Sequence, residues 1–326
     1  MTKFSIALGV GPREPMQRVG EIAQIMERER FHALWVQDNP LSTKDAYVAL
    51  TVAALSTQRL VLAPGVSNTV TRHPSVIVNS ICSLDSLAEG RVILGIGSGG
   101  PSLVAPLGIK AGRSGEFREA LVQIKTLLQG KQATGPNEAR YSVNSALRPL
   151  PVYVAASGPQ MLKLTGELAD GVVITGACQK DAFGDKVQIM KEAARVAGRN
   201  PKEVKANLMV TVVVNSDRQA ALNDAKPFAA SLLAARDRDI PAEYKDLARR
   251  VQEQHDYRTY LSAKGAEAQI VTDDFADYAA IAGDEAYCIK RLRSIMELDV
   301  DEITFRLLGG GRMQRLESLA KLIAKI

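Results

Sequence analysis

Residues 62–100, LAPGVSNTVTRHPSVIVNSICSLDSLAEGRVILGIGSGG, decide the fold. Two short apolar runs, RLVLAPGV (59–66) and RVILGIG (91–97), reach glycine and open into polar sequence. Between them lies a helix-period run over 73–87 with proline in its first turn. Short apolar runs bounded by turn residues mark strands buried on both faces, as in a parallel sheet. Ligands of such sheets sit at the carboxyl ends of the strands. Glycine there lets a ligand approach the backbone closely, because no Cβ stands in the way. The stretch therefore predicts a strand–loop–helix–strand–loop unit with a small-molecule site in its loops.

The same rhythm runs from end to end. FSIAL (4–8) precedes a helix over 16–30, HALWV (32–36) one over 45–55, and RVILGIG one over 115–128. PVYVAA (151–156) precedes 160–168, GVVIT (171–175) precedes 180–197, and KANLMVTVVV (205–214) precedes a helix from Asp217. DEITFRL (301–307) precedes the last helix, 312–326. Eight βα units predict an α/β protein, a (β/α)8 TIM barrel, with 1–326 as one domain. Two stretches break the pattern. Residues 131–148 are polar and rich in turn residues, which predicts a short hairpin. Residues 240–285 carry helical stretches and no obvious strand, which predicts a helical insertion before strand eight, over the barrel mouth.

Composition narrows the function. The chain of 326 residues is 46% hydrophobic and 24% charged, ordinary for a soluble protein with a large core. The net charge of +5 is spread along helices, with no basic run interleaved with aromatics, so no nucleic-acid partner is expected. Cys82, Cys178 and Cys288 are far apart, and only His32, His73 and His255 could assist them; neither a disulfide framework nor a metal site is expected. No apolar run reaches membrane-spanning length, and MTKFSIALGV reads as a first strand, not a signal peptide. A cytoplasmic protein with no membrane partner is expected.

Several constellations could carry chemistry. Gly95-Ile96-Gly97-Ser98-Gly99-Gly100 contains GxGxxG after a strand. A dinucleotide site is disfavoured: the strand is the fourth, Pro101 follows, and no acid closes a strand about 20 residues on. A barrel loop touching a ligand fits better. Asp38 and Asn39 leave strand two (LWVQDN), where an acid could relay a proton, although an Asp there equally serves as a turn or cap. Ser157-Gly158-Pro159 ends strand five and opens a helix whose free N–H groups suit a phosphate. Gly176 and Ala177, after strand six, could form a second phosphate wall. His73 is a loop residue at a helix start, His32 lies at the opposite end of the barrel, and His255 sits on a charged helix of the insertion.

With Gly65-Val66-Ser67-Asn68, Thr71-Arg72-His73-Pro74, SLDSLAEGRVILGIGSG (83–99) and PVYVAASGPQMLKLTGELADGVVI (151–174), the chain resembles the bacterial luciferase-like family. The nearest branch is the coenzyme F420 (deazaflavin)-dependent methylenetetrahydromethanopterin reductases. The resemblance implies a (β/α)8 barrel with an insertion, using F420 or FMN with its ring at the carboxyl end of the strands. It implies a non-prolyl cis peptide at Gly65–Val66, forming a bulge that braces the ring, with Ser67 beside it. It also implies that Asp38 contacts the central edge of the ring and that Gly97 and Ser98 flank it. Ser157, Gly158, Gly176 and Ala177 would hold the phosphate. Two positions depart from the family: Asn39 stands where His is frequent, and Gly100-Pro101 where the F420 branch often has an acid. The departures bear on the substrate, not on the barrel or cofactor.

The reading is an oxidoreductase moving a hydride between F420 (or FMN) and a small organic substrate, with Asp38 and Asn39 as catalytic candidates. An FMN-dependent monooxygenase using oxygen is the alternative, followed by a non-catalytic flavin-binding protein. A cofactor-free barrel isomerase or aldolase would need a Lys or carboxylate at several strand ends, and only Asp38 stands out. A homo-oligomer is expected from the resemblance, and the apolar run 76–84 could form an interface or simply core.

Overall fold

A computed structural model describes residues 2–235, 240–254, 256, 265–307 and 311–326. Each apolar run read above forms a barrel strand. In chain order these are Lys3–Leu8, Ala33–Val36, Val61–Pro64 with its continuation Ser67–Asn68, Leu94–Gly97, Val152–Ala155, Gly171–Thr175, Lys205–Val210 and Glu302–Leu307. They pair in parallel, and the first strand lies between the second and the eighth. The third strand is the seam. Its first half pairs with the second strand (Trp35 opposite Ala63), and its second half with the fourth (Ser67 opposite Ile96). Between the halves, the Gly65–Val66 peptide bond is cis, as the resemblance implied.

Alternation sorts the side chains. Ile6, Leu34, Leu62, Leu94 and Leu208 point outward into the helix layer. Ala33, Trp35, Ala63, Tyr153, Val173 and Met209 point inward and fill the lumen. The helices answer with apolar stripes: Gln17–Arg28 buries Val19, Ile22, Ala23 and Met26, spaced three and four apart. Capping fixes the helix starts. Asp45 accepts from the Tyr47 and Val48 N–H groups at the head of Ala46–Ser56, and Asp284 from Tyr287 N–H at the head of Glu285–Met296. The polar stretch after the helix Ser114–Leu128 forms the expected antiparallel hairpin, Ala133–Thr134 with Arg140–Tyr141.

The insertion differs from the sequence reading in two ways. The run 205–214 is not one strand: the barrel strand ends at Val210, and Val212–Val214 pairs with Ile281–Gly283 in a separate two-stranded parallel sheet. That second strand was not foreseen, because three residues of IAG carry no alternation to read. The insertion consequently begins soon after strand seven, well before residue 240. Its helices Arg218–Ala235, Lys245–Gln254, Ala266–Gln269 and Asp273–Ala279 surround an apolar cluster of their own, including Phe228, Leu233, Val251 and Phe275. His255 lies outside the described residues. No helix among the described residues is long and apolar enough to cross a membrane.

Candidate functional site

The carboxyl ends of strands two, three and four bring Asp38, Gly65, Val66, Ser67, Gly97 and Ser98 to one side of the barrel mouth. Asp38 is 6% exposed. It is neither a turn former nor a cap: its Oδ2 accepts from Ser67 Oγ at 2.7 Å and from Arg72 Nε at 3.2 Å. Arg72 extends the cluster by donating through Nη2 to Asp45 Oδ2 at 2.8 Å, and its guanidinium lies 5.1 Å from the centre of the Tyr47 ring. Tyr47 Oη stands 3.2 Å from Ser67 Oγ.

This cluster holds its charges in fixed states. Burial pushes the Tyr47 hydroxyl up to about 12, against the Ser67 hydrogen bond, with the Asp38 charge adding to the rise. Burial opposes the charge on Arg72, but the Asp45 and Asp38 carboxylates win and raise its pKa further. Burial also tends to raise Asp45, yet the Arg72 and backbone hydrogen bonds bring it below its usual value. Tyr47 therefore stays protonated and Arg72 stays charged at neutral pH.

The glycines of the fourth strand answer to packing. A Cβ on Gly95 would stand 2.1 Å from the Pro64 carbonyl oxygen and 2.8 Å from Trp35 Cζ3, so only glycine lets strands three and four meet here. A Cβ on Gly97 would meet Val66 Cγ2 at 3.2 Å and Ala155 at 3.6 Å. Gly99 turns the loop with φ +74°. The helix that follows, Pro101–Val104, is a single turn. Barrel closure thus accounts for Gly95, and loop geometry for Gly99.

The other predicted residues fall in different places. Asn39 anchors its own loop: its Oδ1 accepts from Leu41 N–H at 3.2 Å, and its N–H donates to Thr43 Oγ1 at 3.2 Å. His73 caps Pro74–Ala88 through Ser75 N–H, and its ring lies 5.4 Å from that of Tyr141. Ser157 and Gly158 are partly exposed at the end of strand five. Gly158, not Ser157, is the N-cap of Pro159–Leu168, and no side chain caps that helix. Gly176 and Ala177 lie beneath the insertion, lining a small cavity with Leu232, Phe275 and Tyr278.

Sequence reasoning missed Tyr47, Asp45 and Arg72 as partners of Asp38. It also missed a polar layer inside the barrel. Trp35 Nε1 donates to Glu302 Oε1 at 2.8 Å across the lumen. Thr304 Oγ1 donates to Asn207 Oδ1 at 2.7 Å and lies 3.4 Å from the same Glu302 oxygen. Burial raises the Glu302 pKa, against hydrogen bonds from Ser5, Trp35 and Thr304. One step further toward the mouth, the Arg306 guanidinium lies 5.2 Å from the centre of the Phe228 ring on the insertion. A signal was present: in DEITFRL, polar residues fall at every second position, 302, 304 and 306.

Comparison with known proteins agrees with this fold. The family model described as luciferase-like monooxygenase matches residues 1–302. A 5,10-methylenetetrahydromethanopterin reductase of Methanolobus tindarius is 28% identical over 306 residues, covering 90% of each chain. An F420-dependent glucose-6-phosphate dehydrogenase of Beutenbergia cavernae is 31% identical over 214 residues, covering 61% of this chain and 63% of that protein. The structure of the coenzyme F420-dependent tetrahydromethanopterin reductase of Methanopyrus kandleri superimposes with a TM-score of 0.80 at 22% identity, covering 98% of this chain and 97% of that one.

Proposed function

The chain belongs to the luciferase-like monooxygenase family, and on that premise we propose that it transfers a hydride between coenzyme F420 and a small organic substrate. The observation that carries the reading is the buried Asp38 carboxylate, held by Ser67 and Arg72 beside the Gly65–Val66 bulge. The F420-dependent glucose-6-phosphate dehydrogenase among the sequence relatives supports F420 over FMN.

The residues at the mouth fit a planar ring. Val66 and the bare Gly97 backbone offer a flat apolar wall. Asn68 Nδ2 is a buried donor with no partner among the described residues, while Asn68 Oδ1 is already occupied by Val70 N–H, Thr71 N–H and the Thr71 hydroxyl. The bound cofactor supplies the hydride chemistry at its central ring. Asp38 would orient the edge of that ring, with Ser67 and Arg72 fixing the carboxylate. Gly65 and Val66 would brace one face, and Gly97 and Ser98 would flank it. Asn39 would present its remaining amide hydrogens near that edge, since its oxygen is engaged by its own loop. The uncapped helix start at Ser157 and Gly158 would hold phosphate, with Gly176 and Ala177 as the second wall. The insertion covers the mouth and would select the substrate.

The family name favours a second reading, a reduced-FMN monooxygenase. Steady-state assays separate the two. Substrate-dependent bleaching of oxidised F420, without oxygen uptake, supports hydride transfer. Oxygen uptake with reduced FMN supports the alternative. Cofactor binding with no turnover on a broad panel of alcohols, pterins and sugar phosphates would leave a flavin-binding protein.

Two further features belong to the same proposal. A homo-oligomer is supported by the helix Ala46–Ser56, apolar on all sides, which leaves Val48 53% and Leu55 70% exposed. A reducing cytoplasm suits Cys82, Cys178 and Cys288, which are all buried free thiols.

A further inference from the structure

Trp35 is the only tryptophan of the chain, and it is fully buried. Its ring crosses the lumen from strand two to strand four, where a Cβ on Gly95 would stand 2.8 Å from Cζ3. Its own Cβ lies 3.0 Å from where a Cβ on Gly65 would be, and Met209 Cε lies 3.6 Å from the same point. The Tyr153 ring is 5.9 Å away. Trp35 is therefore the floor on which the Gly65–Val66 bulge rests, and Val66 lies over Gly95 from above, 3.1 Å from its Cβ position.

The orientation of that floor is fixed from a strand two places away. The indole N–H donates to Glu302 Oε1 at 2.8 Å, joining strand two to strand eight across the first strand between them. Glu302 is 3% exposed. An apolar side chain would fill this volume without the cost of burying a carboxyl group. What the carboxyl adds is a directed acceptor, which permits one ring orientation for Trp35 and disfavours others.

We propose that Glu302 is a positioning residue for the cofactor: by fixing the Trp35 indole it sets the Gly65–Val66 bulge and the width of the slot over Gly97. The proposal rests on the flavin-type reading above. Its test compares wild type with Glu302→Gln, Glu302→Leu and Trp35→Phe, each titrated with F420 and with FMN and followed by cofactor fluorescence. Far-UV circular dichroism checks the fold, and Trp35 emission is recorded in the two Glu302 variants.

Glu302→Gln keeps an acceptor oxygen and is expected to bind within about twofold of wild type. Glu302→Leu removes the acceptor and is expected to shift the Trp35 emission maximum and to raise Kd about tenfold, the scale set by one lost buried hydrogen bond. Trp35→Phe keeps a ring but loses the N–H, and the same rise in Kd is expected. Equal rises in Glu302→Gln and Glu302→Leu overturn the proposal, since Gln keeps both the volume and an acceptor oxygen, and the directed acceptor would then not account for the effect. So does wild-type affinity in Trp35→Phe, which also decides the matter alone if Glu302→Leu does not fold. If wild type binds neither cofactor, the functional reading fails and takes this proposal with it. If wild type binds and the variants bind equally well, only the positioning role fails.

Discussion

Replacing Asp38 by Asn keeps the shape of the side chain but removes its charge. One carboxylate oxygen becomes an NH2 group: at the Oδ2 position it would face both Ser67 Oγ (2.7 Å) and Arg72 Nε (3.2 Å), and at the Oδ1 position it would face Arg72 Nη2 (3.4 Å), a donor meeting donors where there was an acceptor. A hydrogen bond to a charged group contributes about 1.5–3 kcal/mol, and stranding a buried partner costs a similar amount. The Arg72 side chain is 23% exposed and keeps Asp45 at 2.8 Å, so its share is small. The net loss is about 2 kcal/mol. A chain of 326 residues unfolds with an entropy of roughly 0.7 kcal/mol per kelvin, so Tm should fall by about 3 °C. Turnover should fall much further, by about a hundredfold or more, if the carboxylate acts on the reacting edge of the ring. Ser67→Ala should also weaken turnover, and the double variant should lose less than the sum of the two, because the residues act as one unit. Differential scanning fluorimetry and steady-state hydride transfer measure both effects. An Asp38→Asn variant with wild-type turnover, or with strictly additive losses alongside Ser67→Ala, would refute the reasoning.

Further expectations concern packing, pH and assembly. Gly95→Ala drives a methyl group to 2.1 Å from a backbone oxygen that cannot yield, so soluble expression or Tm should collapse. Gly97→Ala meets only the movable Val66 side chain at 3.2 Å; it should fold with a nearly unchanged Tm yet bind cofactor more weakly in a titration. Burial, helped by the Lys3 charge, depresses the His32 pKa from 6.5 to about 4. The unfolded chain then binds the proton first, so stability should fall as pH drops from about 6.5 toward 4. His32→Gln should flatten that part of a Tm–pH profile, and an unchanged slope would contradict the assignment. Leu55→Glu should shift the oligomer toward monomer in light scattering without lowering helix content; a wild-type mass would remove this helix from the interface.

The barrel was legible because its eight strands are apolar runs closed by turn residues, a signal that needs no tertiary information. The boundary of the seventh strand was not. KANLMVTVVV stays apolar past Val210, and only the transfer of Val212–Val214 to Ile281–Gly283 ends it. Asp38, Gly65, Val66, Ser67 and Gly97 were legible as strand-end residues and through the family resemblance. Their partners were not. Arg72 reaches Asp38 across 34 positions, and Glu302 reaches Trp35 across 267, contacts that exist only once the barrel closes. Asn39 shows the limit of position as a guide: it sits beside the candidate acid, but its oxygen holds its own turn.

The most direct test of the central claim is a calorimetric titration of the purified protein with F420, run beside an identical titration with FMN. The account predicts saturable F420 binding at one site per chain, tighter than FMN and weakened in Asp38→Asn. Tight FMN binding without F420 binding would contradict the F420 assignment and favour the oxygen-using alternative. Binding of neither would contradict the flavin-type site itself.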